Sequence, residues 1–308
     1  MSHTLRVRVP ATTANLGPGF DALGLALDLW NETDFTLRTD DHIVVTITGE
    51  GAGILPTDAC NTVAASALRL FEVAGEHPLG LHIECRNRIP LSSGLGSSAA
   101  AVLTGLLGAN SLLNRPLDQV ALLKLAVEIE GHPDNIAPAL LGGLVVCLTD
   151  GEEIITHKLT PRANQQPIFI TLALPDCELS THSARASLPK KVNHADAVFN
   201  ISRSVLVAEA LCTGDLDLLS AAMDDRLHQP YRLPLIPGAK AAMDAARDAG
   251  AAAVTLSGAG PSLVAFSAQQ DRAIGEAMGQ AFADAGLGAR VFELGISNTG
   301  AKVVQLGD

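Results

Sequence analysis

One segment has the residue types and the spacing of an anion-binding loop. Residues 90–100, Pro-Leu-Ser-Ser-Gly-Leu-Gly-Ser-Ser-Ala-Ala, place glycines and serines directly before an Ala/Leu-rich stretch. Gly94 and Gly96 let the backbone turn and bring its N–H groups close to an anion, and a helix beginning near Ser97 adds free N–H donors and the positive end of its dipole. The hydroxyl of Ser97 or Ser98 can also bind Mg²⁺. The pattern predicts a phosphate-binding loop, and a Gly/Ser turn without a ligand is the alternative.

The same loop also matches a dinucleotide-binding pattern. Residues 94–99 fit GxGxxG/A, whereas the Gly-Lys-Ser/Thr of a Walker A loop is missing. A dinucleotide fold requires an acidic residue about 20 positions further on, at the end of a second strand. The nearest candidate, Asp118, follows Pro116 and opens a helix instead. This mismatch counts against a dehydrogenase.

Further polar residues are of the types that bind a small charged molecule. Arg185 and Arg232 lie in short polar segments flanked by prolines, and a guanidinium grips a carboxylate through two parallel hydrogen bonds. Asn15 and Asp21 flank a turn-prone Leu-Gly-Pro-Gly-Phe segment that could present an amide and a carboxylate to one ligand. The alternatives are two solvated surface arginines and an Asx turn that holds its own loop.

The composition describes a compact globular chain. Its 308 residues are 47 % hydrophobic and 18 % charged, and the formal net charge is -12. Lys and Arg total 21 and form no run, which argues against nucleic acid or an anionic membrane as a partner. The five cysteines are scattered without a CxxC pair, and the first residues lack the apolar core of a signal peptide. We therefore expect a cytoplasmic protein with reduced thiols.

Strand and helix patterns alternate in the first half of the chain. Periodicity and capping residues predict strands at 7–9, 35–37, 43–47, 81–85 and 144–148, and helices at 61–74, 97–113 and 117–129. A turn-rich segment follows at 149–166. Beyond it we predict strands at 168–174, 252–256 and 263–267, and helices at 195–211, 239–249 and 273–285. We place the domain change in the turn-rich segment, which divides the chain into residues 1–155 and 156–308.

Three separated segments resemble, in the same order, the three motifs of GHMP kinases. The first is residues 10–21, the second is the phosphate-binding loop, and the third is residues 256–262, Leu-Ser-Gly-Ala-Gly-Pro-Ser. Segments 131–135, 180–185 and 228–232 resemble the members that phosphorylate homoserine. The resemblance implies an α+β fold of two domains: an N-terminal ATP-binding domain of ribosomal-protein-S5-like topology and a C-terminal ferredoxin-like domain.

The resemblance also implies an activity. It is the transfer of the γ-phosphate of ATP, with Mg²⁺, to the side-chain hydroxyl of L-homoserine, which is a step of threonine biosynthesis. Mevalonate, phosphomevalonate and shikimate are the alternative acceptors within the same family. The residues assigned to ATP are Pro90, Leu91, Ser92, Ser93, Gly94, Leu95, Gly96, Ser97, Ser98, Ala99 and Ala100.

The substrate is assigned by the same resemblance. The arginines hold its carboxylate, and the Asn15–Asp21 segment holds its ammonium end. Asp134 meets the attacking hydroxyl and either removes its proton or only orients it, because phosphoryl transfer needs positioning more than a strong base. The full set of predicted substrate residues is Asn15, Asp21, Asp134, Thr181, Arg185 and Arg232.

Ser98 and Glu128 complete the predicted catalytic set beside Asp134 and are assigned to Mg²⁺, which prefers oxygen ligands. Glu130 is the alternative. Two positions along a helix are about 200° apart, so both glutamates cannot face one ion. His132 follows a helix-ending glycine and is more typical of a loop-fixing donor than of a base. In the family the turn at 256–262 supports the phosphate-binding loop, and a homodimer is expected. A nucleotide-binding protein without chemistry is the alternative of a different class.

Overall fold

The computed structural model describes residues 4–77, 80–151 and 153–306. The first part of the chain forms β1 (Thr4–Ala14), β2 (Leu23–Arg38), β3 (Ile43–Gly49), α1 (Thr62–Val73), β4 (Gly80–Asn87), α2 (Ser97–Leu112), α3 (Gln119–Glu130), α4 (Pro133–Leu141), β5 (Leu144–Asp150) and β6 (Glu153–Leu159). The second part forms β7 (Phe169–Pro175), α5 (Thr181–Ala186), α6 (His194–Thr213), α7 (Leu216–Ala222), α8 (Gln229–Arg232), α9 (Ala239–Asp248), β8 (Ala253–Leu256), β9 (Leu263–Ser267), α10 (Arg272–Asp284), β10 (Ala289–Leu294) and β11 (Lys302–Leu306).

The strands of the described residues form two sheets. The first has the order β11-β1-β2-β4-β3, with β5 paired to β2 and β6 paired to β5. Within it β3 and β4 are parallel and are joined by α1, as a crossover connection requires. The second sheet is antiparallel with the order β10-β7-β9-β8. In chain order this is 4-1-3-2, with helices after its first and third strands, so the expected ferredoxin-like arrangement is confirmed.

The last strand returns to the first sheet, where β11 pairs with β1 in the register Thr4↔Leu306. The predicted turn-rich segment at 149–166 is wrong in part, because β6 lies within it and pairs with β5. This strand is exposed at most positions and rich in polar residues, so its sequence resembles a loop. The domain boundary between residues 155 and 156 falls inside β6, and the division at that point stays a prediction.

Capping residues set the helix ends that surround the site. Asp118 accepts a hydrogen bond from a first-turn N–H of α3, and Gly131 ends this helix with φ 94°. Pro133 then starts α4 at a position where a missing N–H costs little. Gly96, with φ 67°, directly precedes α2, and among the described residues no side-chain hydrogen bond caps the N-terminus of this helix. The backbone N–H groups at the start of α2 therefore remain available to a ligand.

Helices cover both sheets and enclose the apolar core. α2 packs against β1 and α1, α4 packs against β1 and β2, and α9 and α10 pack against the second sheet. Most of α2 is buried, which agrees with its uncharged sequence. Within residues 4–77, 80–151 and 153–306, we find no helix with the length and hydrophobicity needed to span a bilayer.

Candidate active site

A cavity of about 260 Å³ opens between the phosphate-binding loop, the loop at 15–21, the start of α4, α5 and the turn at 258–260. All six predicted substrate residues line it. Its polar side chains belong to Asn15, Asp21, Ser92, Ser93, Ser97, Ser98, Glu130, His132, Asp134, Asn135, Ser180, Thr181, Arg185 and Arg232. Two guanidinium groups and three carboxyl groups therefore share one small space with the phosphate-binding loop.

The turn at 256–262 holds the phosphate-binding loop from the opposite side of the cavity. The Ser257 hydroxyl donates a hydrogen bond to the Gly94 carbonyl at 2.8 Å. The backbone N–H of Ser262 reaches the Ser93 carbonyl at 3.3 Å. The predicted support of the loop by this turn is confirmed.

Ten of the eleven loop residues assigned to ATP divide into two groups, and the eleventh, Leu91, lines a neighbouring cavity. Six of them line the cavity: Ser92, Ser93, Gly94, Gly96, Ser97 and Ser98. The side chains of Leu95, Ala99 and Ala100 are fully buried in the apolar core, and Pro90 is buried as well. Contacts from these four positions to a nucleotide are therefore limited to the backbone.

A second cavity of about 240 Å³ adjoins the first and shares Ser92, Ser97 and Ser98 with it. Its other walls are half apolar and half polar: Leu55, Pro56, Val63, Cys85, Leu91 and Ala101 on the one hand, and Asn31, Thr33, Asn61, Thr62, Asn87 and Thr104 on the other. Sequence analysis missed this space. Its walls come from the loop before α1 and from the outer face of α2, and neither carries a local motif.

Ser98 and Glu130 form the acidic end of the site. The Ser98 hydroxyl donates to Oε2 of Glu130 at 2.7 Å, and burial raises the pKa of the Glu130 carboxyl. The structure contradicts the preference for Glu128 as the partner of Ser98. Glu128 is exposed and does not line the cavity, because the two glutamates point to opposite sides of α3. The alternative, Glu130, fits the geometry.

Asp134 lies in the first turn of α4 and is 4 % exposed. Burial raises the pKa of its carboxyl, and the neighbouring His132 opposes this shift. Nδ1 of His132 is 3.5 Å from Oδ1 of Asp134. His132 occupies the N-cap position of α4, but its side chain makes no capping hydrogen bond within the described part of the chain. The predicted role of His132 as a donor that fixes the loop is therefore not supported by a capping bond.

Asp21 and Arg185 form a bidentate ion pair across the cavity. The two guanidinium nitrogens of Arg185 donate to the two carboxylate oxygens of Asp21 at 2.9 and 3.0 Å. The hydrogen bond to Asp21 raises the pKa of Arg185. Both side chains remain more than one-third exposed, so a ligand can reach the pair.

Arg232 is the most unusual residue of the site, because its charged side chain is only 1 % exposed. Its guanidinium donates to the carbonyls of Ala184 at 3.4 Å and Gly258 at 3.2 Å. Among the described residues, no carboxylate lies within 4.0 Å of it, and burial lowers the pKa of Arg232. Asp21, Asp134 and Asp225 act on its charge from a greater distance. A buried guanidinium without a direct ion pair is still costly, so this group is suited to an anion that arrives with a ligand.

Both polar atoms of the Asn15 amide have partners within the protein. Its Nδ2 donates to the Gly258 carbonyl at 2.7 Å, and its Oδ1 accepts from the backbone N–H of Asp21 at 3.0 Å. These bonds fit the alternative of a side chain that holds its own loop. A direct contact between Asn15 and a substrate stays a prediction.

The comparisons with known proteins agree with this architecture. The GHMP kinases N terminal domain matches residues 61–143, and the GHMP kinases C terminal domain matches residues 207–284. The chain belongs to the GHMP kinase family.

Full-length relatives carry a more specific name. Homoserine kinase from Moorella thermoacetica is 48 % identical over 97 % of this chain and 99 % of its own. Homoserine kinase from Microchaete diplosiphon is 41 % identical over 99 % of this chain and 98 % of its own. The crystal structure of homoserine kinase from Cytophaga hutchinsonii has a TM-score of 0.86 at 36 % identity, covering 98 % of this chain and 97 % of that one.

Proposed function

We propose that this enzyme is a homoserine kinase that transfers the γ-phosphate of ATP to the side-chain hydroxyl of L-homoserine, as a step of threonine biosynthesis. One observation carries the choice of acceptor. A buried guanidinium without a carboxylate partner, Arg232, lies beside the Asp21–Arg185 ion pair in a cavity that faces the phosphate-binding loop. The family and its full-length relatives support the same activity.

An amino acid offers an exchange partner for each charge of the site. Its carboxylate binds Arg232 and Arg185, and its ammonium takes the place of the Arg185 guanidinium at Asp21. Both members of the original ion pair then keep a partner of opposite charge. A ligand without the carboxylate leaves Arg232 unpaired, and a ligand without the ammonium can use Arg185 only by leaving Asp21 unpaired, so either loss lowers the affinity.

The nucleotide extends across both cavities. We place the base and ribose in the second cavity, whose walls offer both apolar side chains and amide groups, and the triphosphate on the N–H groups at the start of α2. The shared residues Ser92, Ser97 and Ser98 lie at the junction, which is where the phosphates must pass. The uncapped N-terminus of α2 and its dipole favour the negative charge there.

The acceptor is tested by measuring ADP release with a panel of alcohols. L-Homoserine is expected to have a kcat/KM at least about 10²-fold above 4-hydroxybutyrate, which lacks the ammonium, and 3-aminopropan-1-ol, which lacks the carboxylate. Mevalonate and shikimate should be poor acceptors for the same reason. Equal activity across the panel would contradict the proposal.

Ser98 and Glu130 are the residues that would hold Mg²⁺. Their oxygens are the hard donors that this ion prefers, and one carboxylate is sufficient because Mg²⁺ keeps waters and phosphate oxygens as its other ligands. When bound, the ion neutralises charge on the phosphates. The role of Ser98 is to present its hydroxyl beside the phosphate-binding loop while Glu130 orients it.

Glu130→Gln is expected to raise the Mg²⁺ concentration for half-maximal rate about tenfold or more and to lower kcat. Glu128→Gln is the matched control, because this glutamate is on the same helix but exposed. Magnesium titrations of the initial rate decide between them. If Glu128→Gln raised the required Mg²⁺ concentration and Glu130→Gln did not, Glu128 would be the magnesium ligand, as the sequence analysis predicted.

Asp134 is proposed to accept the hydrogen bond of the attacking hydroxyl. Only the ionised carboxylate can accept that proton, so kcat should fall as the pH drops through the raised pKa of Asp134, which is above the usual range of an aspartate. Asp134→Asn should lower kcat about 10²-fold and abolish the fall of kcat at low pH, which is the acid limb of the pH profile. An unchanged acid limb in the variant would assign it to another group.

The raised pKa of Asp134 also makes the stability of the folded enzyme depend on pH. A carboxyl whose pKa is raised on folding stabilises the folded state at low pH, and this contribution is lost as the pH rises through the raised pKa. The Tm of Asp134→Asn relative to the parent enzyme should therefore increase with pH.

The assembly and the compartment are further proposals. We place the enzyme in the cytoplasm and expect a homodimer. The outer face of α6 is a candidate surface for the second copy, because Val198, Ile201 and Val205 are more than half exposed there.

A further inference from the structure

Two polar residues of segment 225–229 are completely buried and take no part in the chemistry proposed above. The side chains of Asp225 and His228 are both 0 % exposed. Neither lines the cavity that holds the substrate residues. Their burial needs an explanation, because a polar group removed from water must find partners in the protein.

His228 donates a hydrogen bond to the backbone of the loop at 15–21. Its Nε2 is 2.8 Å from the carbonyl oxygen of Gly17. A carbonyl can only accept, so Nε2 must carry the proton. Nδ1 is buried and has no hydrogen-bond partner among the described residues, so a second proton there would be an unsatisfied donor. His228 is therefore a neutral imidazole, and burial lowers its pKa accordingly.

Asp225 fixes the backbone that carries His228. Its Oδ1 accepts from Nδ2 of Asn200 at 2.6 Å and from the N–H of Leu227 at 2.9 Å. Its Oδ2 accepts from the N–H groups of His228 at 3.0 Å and Gln229 at 2.6 Å. Four donors satisfy one carboxylate, and they lock the turn from which α8 starts. Arg232 is the last residue of that short helix.

The loop that receives the His228 bond has an unfavourable backbone. Asn15, Leu16, Gly17 and Asp21 have φ values of 71°, 46°, 66° and 54°. Such left-handed conformations persist only where the surrounding structure holds them. Three of these four residues carry a side chain, so the loop depends on external hydrogen bonds for its shape.

Besides the Asn15 bonds described above, this loop is anchored by α6 and by His228. The Pro18 carbonyl accepts from the Ser204 hydroxyl at 2.6 Å and from Nδ2 of Asn200 at 3.3 Å. The His228 ring stacks on Phe20, with the ring centroids 5.1 Å apart. Phe20 in turn lies below the guanidinium of Arg232, 5.1 Å from its centroid. One histidine thus contacts the loop through both a hydrogen bond and a ring.

We propose that His228 is a positioning residue that sets the spacing between the two halves of the substrate site, by joining the loop that carries Asp21 to the helix that carries Arg232. The inference rests on the proposed function, in which Asp21 takes the ammonium and Arg232 the carboxylate of one amino acid. Asp225 holds His228 in place by fixing the turn that precedes α8. Without the His228 bond the loop moves relative to α8, and the two charges no longer match one amino acid.

Two substitutions distinguish the contribution of the His228–Gly17 hydrogen bond from that of the ring stacking on Phe20. His228→Phe keeps the stack on Phe20 and removes the donor, whereas His228→Gln restores an N–H near the position of Nε2. We expect His228→Phe to raise KM for L-homoserine about tenfold or more and His228→Gln to recover most of that loss. The KM for ATP should stay within about twofold in both, because the phosphate-binding loop is held by other bonds. Equal KM values for homoserine in parent and His228→Phe enzymes would overturn the proposal.

A control distinguishes positioning from a general loss of stability. Met278→Ala leaves a cavity at a fully buried position of α10. This helix packs against the second sheet, and Met278 takes no part in the bonds of His228 and Asp225 described above. Met278→Ala should lower the Tm and leave KM for L-homoserine unchanged. If Met278→Ala raises KM for homoserine as much as His228→Phe does, the effect is unspecific and the proposal fails.

A spectroscopic measurement covers the case in which His228→Phe does not fold. Nitrogen NMR of the parent enzyme at neutral pH should show His228 as the tautomer protonated at Nε2 alone. A ring protonated at Nδ1 alone would lack the donor to Gly17 and would overturn the proposal, whereas a proton on Nε2 supports it. The outcomes for the proposed function are separate: a parent enzyme that transfers no phosphate to homoserine rejects that function, whereas an active parent with an insensitive His228 rejects only this inference.

Discussion

Arg232→Met is expected to reduce kcat/KM for L-homoserine about 10²–10³-fold with little change in KM for ATP. The guanidinium is buried, and the described residues around it offer carbonyls but no carboxylate. Its charge therefore has its main partner in the ligand. Steady-state kinetics with each substrate varied in turn measure the effect.

The same substitution should leave the folded state intact. Burial of the Arg232 charge outweighs its attraction to Asp21, Asp134 and Asp225, so an apolar side chain of similar length should keep the Tm or raise it, in spite of the two lost hydrogen bonds to carbonyls. Arg247→Met is the control, since Arg247 pairs with Asp244 on the surface of α9 and should affect neither activity nor Tm appreciably. Normal homoserine kinetics in Arg232→Met would remove the main support for the acceptor.

Gly96→Ala is expected to lower kcat/KM for ATP about 10²-fold or more. The glycine has φ 67°, and a Cβ there would overlap with the Thr12 hydroxyl. Thr12 cannot yield easily, because it lies on β1 and donates to Oδ1 of Asn135 at 2.8 Å. The loop must then shift away from β1, and a displacement of about 1 Å in a phosphoryl-transfer site costs about two orders of magnitude in rate.

Gly53→Ala provides the matched control for this substitution. Gly53 also has a positive φ, 74°, but a Cβ there would meet nothing within 4 Å. It should therefore cost only the backbone strain of a left-handed alanine, about 1 kcal/mol of stability, without loss of activity. Equal kinetic effects of the two substitutions would show that loop strain, and not the contact with Thr12, is responsible.

Helices with clear capping residues could be predicted from the sequence. α3 starts after Asp118 and ends before Gly131, and α2 starts at Ser97 after the glycine-rich turn, as their local patterns indicate. α4 was missed, because Pro133 and Pro138 are typical of a loop and only the packing of this helix against β1 and β2 overrides them. β2 was predicted at three residues but extends from Leu23 to Arg38. Leucines alternate from Leu23 to Leu29, but the polar run 31–34 interrupts the pattern and divides the strand in the sequence.

Many residues that line the cavity could be predicted from the sequence, but Glu130 beside Ser98 and the electrostatics of the site could not. The order of the motifs led us to assign the phosphate-binding loop, Asp21, Arg185 and Arg232 to one site. An arginine in a sequence is usually solvated, so nothing local indicated that Arg232 is buried while Arg185 pairs with Asp21. The choice between Glu128 and Glu130 depends on the rotation of α3 about its axis, which only tertiary packing determines.

The most direct test of the account is a crystal structure of the enzyme with L-homoserine and a non-hydrolysable ATP analogue. We expect the homoserine carboxylate within hydrogen-bond distance, about 2.7–3.2 Å, of the Arg232 guanidinium, and the Asp21–Arg185 pair opened by the ammonium. The triphosphate should contact the N–H groups at the start of α2. A complex in which Arg232 still lacks an anionic partner, or in which the phosphates lie away from α2, would contradict the account.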